Sequence, residues 1–220
     1  MEIRRERTNR KLLLTRKGYL ERVVERFGMR GAKSVVTSLA PHFRLSGNHS
    51  PTTAEDKTYM EHVPYASAVG SLMYAMVCTR PDISQAVSVV SRFIANPGKA
   101  HWEAVKGILR YLKGTINTGL CFGGDTCQIS GFVDSDYVGN LDRRQSTTGY
   151  VFKVHGAPVS WRSMLQSTVA LSTTEVEYMV VAKGVKEALW LRGLLGDFGV
   201  EQECVRLMCD SQSAIHLAKN

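Results

Sequence analysis

The hydrophobic period of this chain changes after Gly114, and that change limits the possible folds more than any other feature. Ahead of it, apolar residues recur at helical spacing. Beyond it, residues 129–134, 149–154 and 158–163 read as strands, the last two joined by His155-Gly156-Ala157, before a long helical stretch fills 173–196. A strand at 205–210 and the start of a helix at 211–220 complete the order β, β, β, α, β, α. Three strands this close in sequence can form an antiparallel meander, and a helix as crossover can bring a fourth strand in parallel. The expected class is α/β. A sheet ending on 205–210 leaves an unpaired edge unless more chain follows.

The preceding part is organised differently. Residues 2–16 read as two short strands around the polar Arg7-Thr8-Asn9-Arg10, a basic hairpin. Tyr19, Leu20, Val23, Val24 and Phe27 then form one helical stripe over 17–28, closed by Gly28. Across 29–61 periodicity disappears, so an extended connector is expected, with a short turn of helix near 53–62. Helices are expected at 65–78, 81–95 and 101–112, with Pro81 and Asp82 suited to a helix start and Asn96-Pro97-Gly98 to a stop. Lys106, Arg110 and Lys113 share a face of the third, which reads as a solvated surface or a phosphate contact. The chain divides into a first part, 1–128, and a second, 129–220.

Composition excludes several classes. The longest apolar stretch, 66–78, falls short of the roughly 20 residues that cross a bilayer, and Leu12-Leu13-Leu14 is too short for the core of a secretory signal. Five cysteines, Cys78, Cys121, Cys127, Cys204 and Cys209, contain no CxxC pair and read as free thiols in a reducing compartment. The net charge of +8 is concentrated: residues 1–33 carry eleven Lys or Arg against four Glu, whereas 129–220 carry nine basic and ten acidic residues. Arg4, Arg5, Arg7, Arg10 and Lys11 are therefore the candidate nucleic-acid contacts.

Three carboxylates stand where a sheet and a helix can bring them together. Asp134 ends the first strand of the second part and Asp210 ends the fourth, so parallel neighbours would set their C-terminal ends side by side. On the crossover helix, Glu175 and Glu177 lie about 200° apart around the axis, so only one can face the sheet. The face carrying Glu177 continues through Val180, Val181, Gly184 and Ala188, an apolar stripe whose glycine permits close approach; the face of Glu175 is more polar. Each acid also has a plainer role. Asp210 suits a helix N-cap, Glu175 a capping box with Ser172, Glu177 the same box shifted by two with Thr174, and Asp134, Asp136 and Asp142 turns. Together, clustered carboxylates need cations among them, and two magnesium ions there would perform phosphodiester hydrolysis.

The segments VPYASAVGSLMYAMVCTRPDISQAV, HWEAVKGILRYLKGT, GFVDSDYVGNLDRRQSTTGYVF, VSWRSMLQSTVALSTTEVEY and CDSQSAIHLAKN resemble, in order, the C-terminal part of the Pol polyprotein of copia-type long-terminal-repeat retrotransposons. The resemblance implies the helical end of a reverse transcriptase over 1–128 and a ribonuclease H-like domain over 129–220. That domain would cut RNA in RNA–DNA hybrids with two magnesium ions on Asp134, Glu177 and Asp210, Asp136 being the fallback for Asp134. It also implies that the family's polymerase aspartate pair lies upstream, since this chain has no Asp-Asp pair, so DNA synthesis is not expected. A fifth strand, a final helix and a fourth acidic ligand would lie beyond residue 220, so the activity is expected to be impaired. Other parts of the polyprotein are expected partners, and no membrane is. The expected place is intracellular, in a cytoplasmic virus-like particle or the nucleus. The alternatives are a non-catalytic nucleic-acid-binding remnant and a decayed reading frame.

Overall fold

The computed structural model describes residues 1–123 and 127–219. It contains strands β1 (Glu2–Glu6) and β2 (Lys11–Thr15), helices α1 (Lys17–Arg26), α2 (Ala54–Glu61), α3 (Tyr65–Thr79), α4 (Ser84–Ser91) and α5 (Lys99–Gly114), then strand β3 (Leu120–Phe122). Strands β4 (Ser130–Asp136), β5 (Thr147–Val154) and β6 (Ala157–Leu165), helix α6 (Thr173–Asp197), strand β7 (Arg206–Met208) and helix α7 (Gln212–Lys219) follow. Two compact units form: Met1–Ile3 with Leu14–Leu120, and Arg4–Leu13 with Cys121–Asn220.

The first unit is helical because its apolar residues recur on single faces. Leu20 and Val23 of α1 with Phe27 just after it, Val69 and Leu72 of α3, Val87 and Val90 of α4, and Val105, Ile108 and Leu112 of α5 share one core. Several of its buried polar groups are paired. Tyr65 donates to the Val90 carbonyl at 2.8 Å, and His101, wholly buried, accepts the Gly98 N–H at Nδ1 and meets the Ser46 carbonyl at Nε2. Arg80, also wholly buried, forms an ion pair with Asp82 at 2.7 Å and donates to the Thr115 carbonyl at 3.1 Å.

One helix is shorter than its pattern suggests. Over 81–95 the chain forms a 3₁₀ turn at Pro81–Ile83, then α4, and unwinds into turns after Ser91. The hairpin strands join β3 in a small sheet of order β1-β2-β3. At three residues, β3 is too short to show a period, and the sequence did not announce it.

The second unit is built on a four-stranded sheet of order β6-β5-β4-β7. Antiparallel β4, β5 and β6 form the meander, while α6 carries the chain to β7, which runs parallel to β4. His155 and Gly156, both at positive φ, make the tight β5–β6 turn; glycine takes that conformation without steric cost. Ile129, Val133, Tyr150 and Phe152 of the sheet side pack with Val180, Ala188 and Leu191 of α6. Gly184 is where α6 comes closest: a Cβ there would lie 2.6 Å from Val133 Cγ1 and 3.2 Å from Leu207 Cδ1. Among the described residues, no helix is long and apolar enough to cross a membrane.

Candidate active site

The parallel pairing of β4 with β7 sets Ser130 opposite Arg206, Gly131 opposite Leu207 and Phe132 opposite Met208. The ladder ends there, and Asp134 on β4 and Asp210 past the end of β7 each follow two residues on. Parallel strands end on the same side, so both carboxylates stand at the C-terminal edge of one strand pair.

Glu177 enters from α6 four residues after its start. The Ser172 hydroxyl accepts the Glu175 N–H at 3.2 Å, and the Glu175 carboxylate accepts the Leu171 N–H at 2.8 Å. Glu175 is thereby engaged at the exposed helix start, and the helical repeat turns Glu177 toward the sheet. Ser135 Oγ donates to Glu177 Oε1 at 2.6 Å, and the Cys209 thiol lies 3.9 Å from Glu177 Oε2. Among the described residues, one Glu177 carboxylate oxygen, the Cys209 sulfur and one Asp210 carboxylate oxygen lie within 4.8 Å of one another.

Asp134 stands differently. Val133 and Ser135 face α6, so strand alternation puts Asp134 on the opposite, exposed face of β4, where Oδ1 accepts the Ser135 N–H at 2.8 Å. It is outside the close group of Glu177, Cys209 and Asp210, yet near enough that its charge acts on Glu177. Asp136 folds over its own turn: its Oδ2 occupies the space a Cβ on Gly139 would need. Ser211 caps α7, its hydroxyl accepting the Ala214 N–H at 3.3 Å, so the helix-capping role open to Asp210 is taken by its neighbour.

The electrostatics follow from this crowding. Burial pushes the Glu177 carboxyl above the ordinary carboxylate range, against the Ser135 hydrogen bond, and repulsion from Asp210 and Asp134 pushes it further. Burial likewise raises the Cys209 thiol, opposed by a hydrogen bond from the Ser211 backbone and reinforced by the charges of Glu177 and Asp210. Hard divalent cations relieve carboxylate crowding of this kind, and the oxygen donors of Glu177 and Asp210 suit them.

Two residues of the site escaped the sequence reading. Ser135 lies on β4 in phase with Val133, and Cys209 lies one residue past β7 in phase with Leu207, so alternation alone would have found them. The basic side chains Arg4, Arg5, Arg7, Arg10 and Lys11 are all exposed, Arg4 making a 3.7 Å surface pair with Glu6.

Over its whole length the chain is 57% identical to 17% of the "Retrovirus-related Pol polyprotein from transposon TNT 1-94" of Nicotiana tabacum. It is 37% identical over 95% of its length to 14% of the "Retrovirus-related Pol polyprotein from transposon RE1" of Arabidopsis thaliana. Over 60% of its length it is 50% identical to 94% of the "Secreted RxLR effector protein 161" of Plasmopara viticola. The chain thus spans less than a fifth of the Pol polyproteins it matches. No protein-family profile and no solved structure matches it.

Proposed function

We propose, from the identity of this chain with a segment of retrovirus-related Pol polyproteins of transposons, that its residues 129–220 are a ribonuclease H-type hydrolase of the RNA strand in RNA–DNA hybrids. The observation that carries this reading is the approach of Glu177 on α6 to Asp210 just past β7, with Asp134 on β4 near enough for its charge to act on Glu177. Residues 1–128 are read as the helical end of a reverse transcriptase.

In this reading Asp134, Glu177 and Asp210 hold magnesium, which when bound supplies charge to activate water and to stabilise the leaving oxygen. The protein's own contribution is position. The Ser135 hydroxyl fixes one oxygen of Glu177, and the parallel ladder fixes the spacing of the strand ends. Exposed Arg4, Arg5, Arg7, Arg10 and Lys11 contact phosphates of the hybrid, so affinity falls steeply with salt as counterions are released. Other parts of the polyprotein are the expected protein partners.

The test is cleavage of a labelled RNA–DNA hybrid in magnesium by wild type, Asp134→Asn and Glu177→Gln. Cleavage by wild type that each substitution abolishes supports the reading; cleavage persisting in both variants overturns it. Hybrid binding that weakens with salt but never leads to cleavage favours a non-catalytic nucleic-acid-binding remnant.

A further inference from the structure

The sulfur of Cys209 lies inside the carboxylate group, and three separate features direct it there. Alternation along the β7 segment puts Cys209 in phase with Leu207, whose side chain faces Gly184 of α6. Its thiol meets Glu177 Oε2 at 3.9 Å, while the other oxygen of that carboxylate is held by Ser135. Among the described residues, one Glu177 carboxylate oxygen, the Cys209 sulfur and one Asp210 carboxylate oxygen converge within 4.8 Å of one another. The thiolate is the form in which cysteine binds metals.

We propose that Cys209, with Glu177 and Asp210, forms a mixed sulfur and carboxylate site that takes a thiophilic divalent cation of the zinc or cadmium class. The inference rests on the reading of Glu177 and Asp210 as metal ligands and adds a soft donor to them. Magnesium prefers oxygen and gains little from a thiol, whereas zinc and cadmium gain a strong bond to sulfur. The same pocket of ligands therefore discriminates between ions: a hard ion uses the carboxylates, and a thiophilic ion recruits Cys209, releases its proton and competes for Glu177 and Asp210. Site occupancy then depends on the balance of the two cation classes, and traces of zinc antagonise the magnesium form.

The experiment is titration of the full chain with Cd²⁺ alone, read by the ultraviolet sulfur-to-cadmium charge-transfer band, and with Mn²⁺ alone, read by loss of its free electron-spin signal. Wild type, Cys209→Ser, Glu177→Gln and the surface-thiol control Cys204→Ser are compared. The site requires that Cys209→Ser lower the ratio of Cd²⁺ to Mn²⁺ affinity by at least the roughly 10- to 100-fold that changes around metal ligands cost. Glu177→Gln should weaken the cadmium band as well, and Cys204→Ser should leave it in place. A band unchanged in Cys209→Ser overturns the proposal, and so does a band lost in Cys209→Ser but unchanged in Glu177→Gln, which describes a lone thiol. Hybrid cleavage separates the two readings. Cleavage with a Cys209-independent band sinks this inference alone; a band dependent on both Cys209 and Glu177 without cleavage sinks the hydrolase reading alone.

Discussion

Ser135 Oγ and Glu177 Oε1 are 2.6 Å apart, a hydrogen bond that joins the end of β4 to the second turn of α6 across 42 residues of sequence. It is the contact by which the helix start is tied to the sheet edge where Asp134 and Asp210 lie. The donor stabilises the ionised carboxylate, so it opposes both the burial of Glu177 and the repulsion of its acidic neighbours.

Removing that donor with Ser135→Ala should therefore raise the Glu177 carboxyl above its wild-type value. Loss of a hydrogen bond to a charged group should also cost about 1.5 to 3 kcal/mol of stability at neutral pH. Chemical denaturation measures the second effect, and carboxyl carbon chemical shifts followed against pH measure the first. A Glu177 titration identical to wild type would show that the contact does not form in solution.

Neutralising Glu177 acts in the other direction when metal is removed. In chelator at neutral pH, Glu177→Gln relieves the repulsion from Asp210 and Asp134, so its melting temperature should exceed that of wild type. Added Mn²⁺ should reverse the order, because only wild type gains the ligand's binding energy. Thermal melts with and without the ion check both halves.

Two glycines of one helix should respond oppositely. At Gly184 a side chain meets Val133 at 2.6 Å, so Gly184→Val pushes α6 off the sheet and should cost about 1 to 3 kcal/mol. At Gly193 nothing lies within 4 Å, and Gly193→Ala should stabilise by up to about 1 kcal/mol through helix propensity alone. Denaturant midpoints of the two variants, moving apart from wild type, test how closely α6 is seated.

In the helical unit, acid sensitivity should centre on Asp82. Burial alone would raise its carboxyl, but the hydrogen bonds and charge of Arg80, with the Tyr111 hydroxyl, outweigh burial and hold it below the ordinary range. A depressed carboxyl lends stability that is present above the unfolded-state value of about 4 and lost as pH falls through the folded value. Asp82→Ala leaves the wholly buried Arg80 without its carboxylate and should cost about 3 to 5 kcal/mol at neutral pH. The loss should shrink in strong acid, as circular dichroism melts at several pH values would record.

The sequence by itself determined the elements and their order, because period is local. Strand alternation in 129–163, the stripe along 173–196 and the capping pair Ser172 and Glu175 each depend on residues a few positions apart. Those same local rules chose Glu177 over Glu175 as the inward acid. Tertiary structure decided what depends on register between distant segments. The approach of Asp210 to Glu177 is set by how β7 docks beside β4 after a helix of 25 residues, and no local period encodes it. The same docking gives Glu177 its two contacts, Ser135 from one strand and Cys209 from beyond the next, and it leaves Asp134 on the outer face of β4. The short β3 belongs with these decisions, since three residues gain strand form only from the hairpin they pair with.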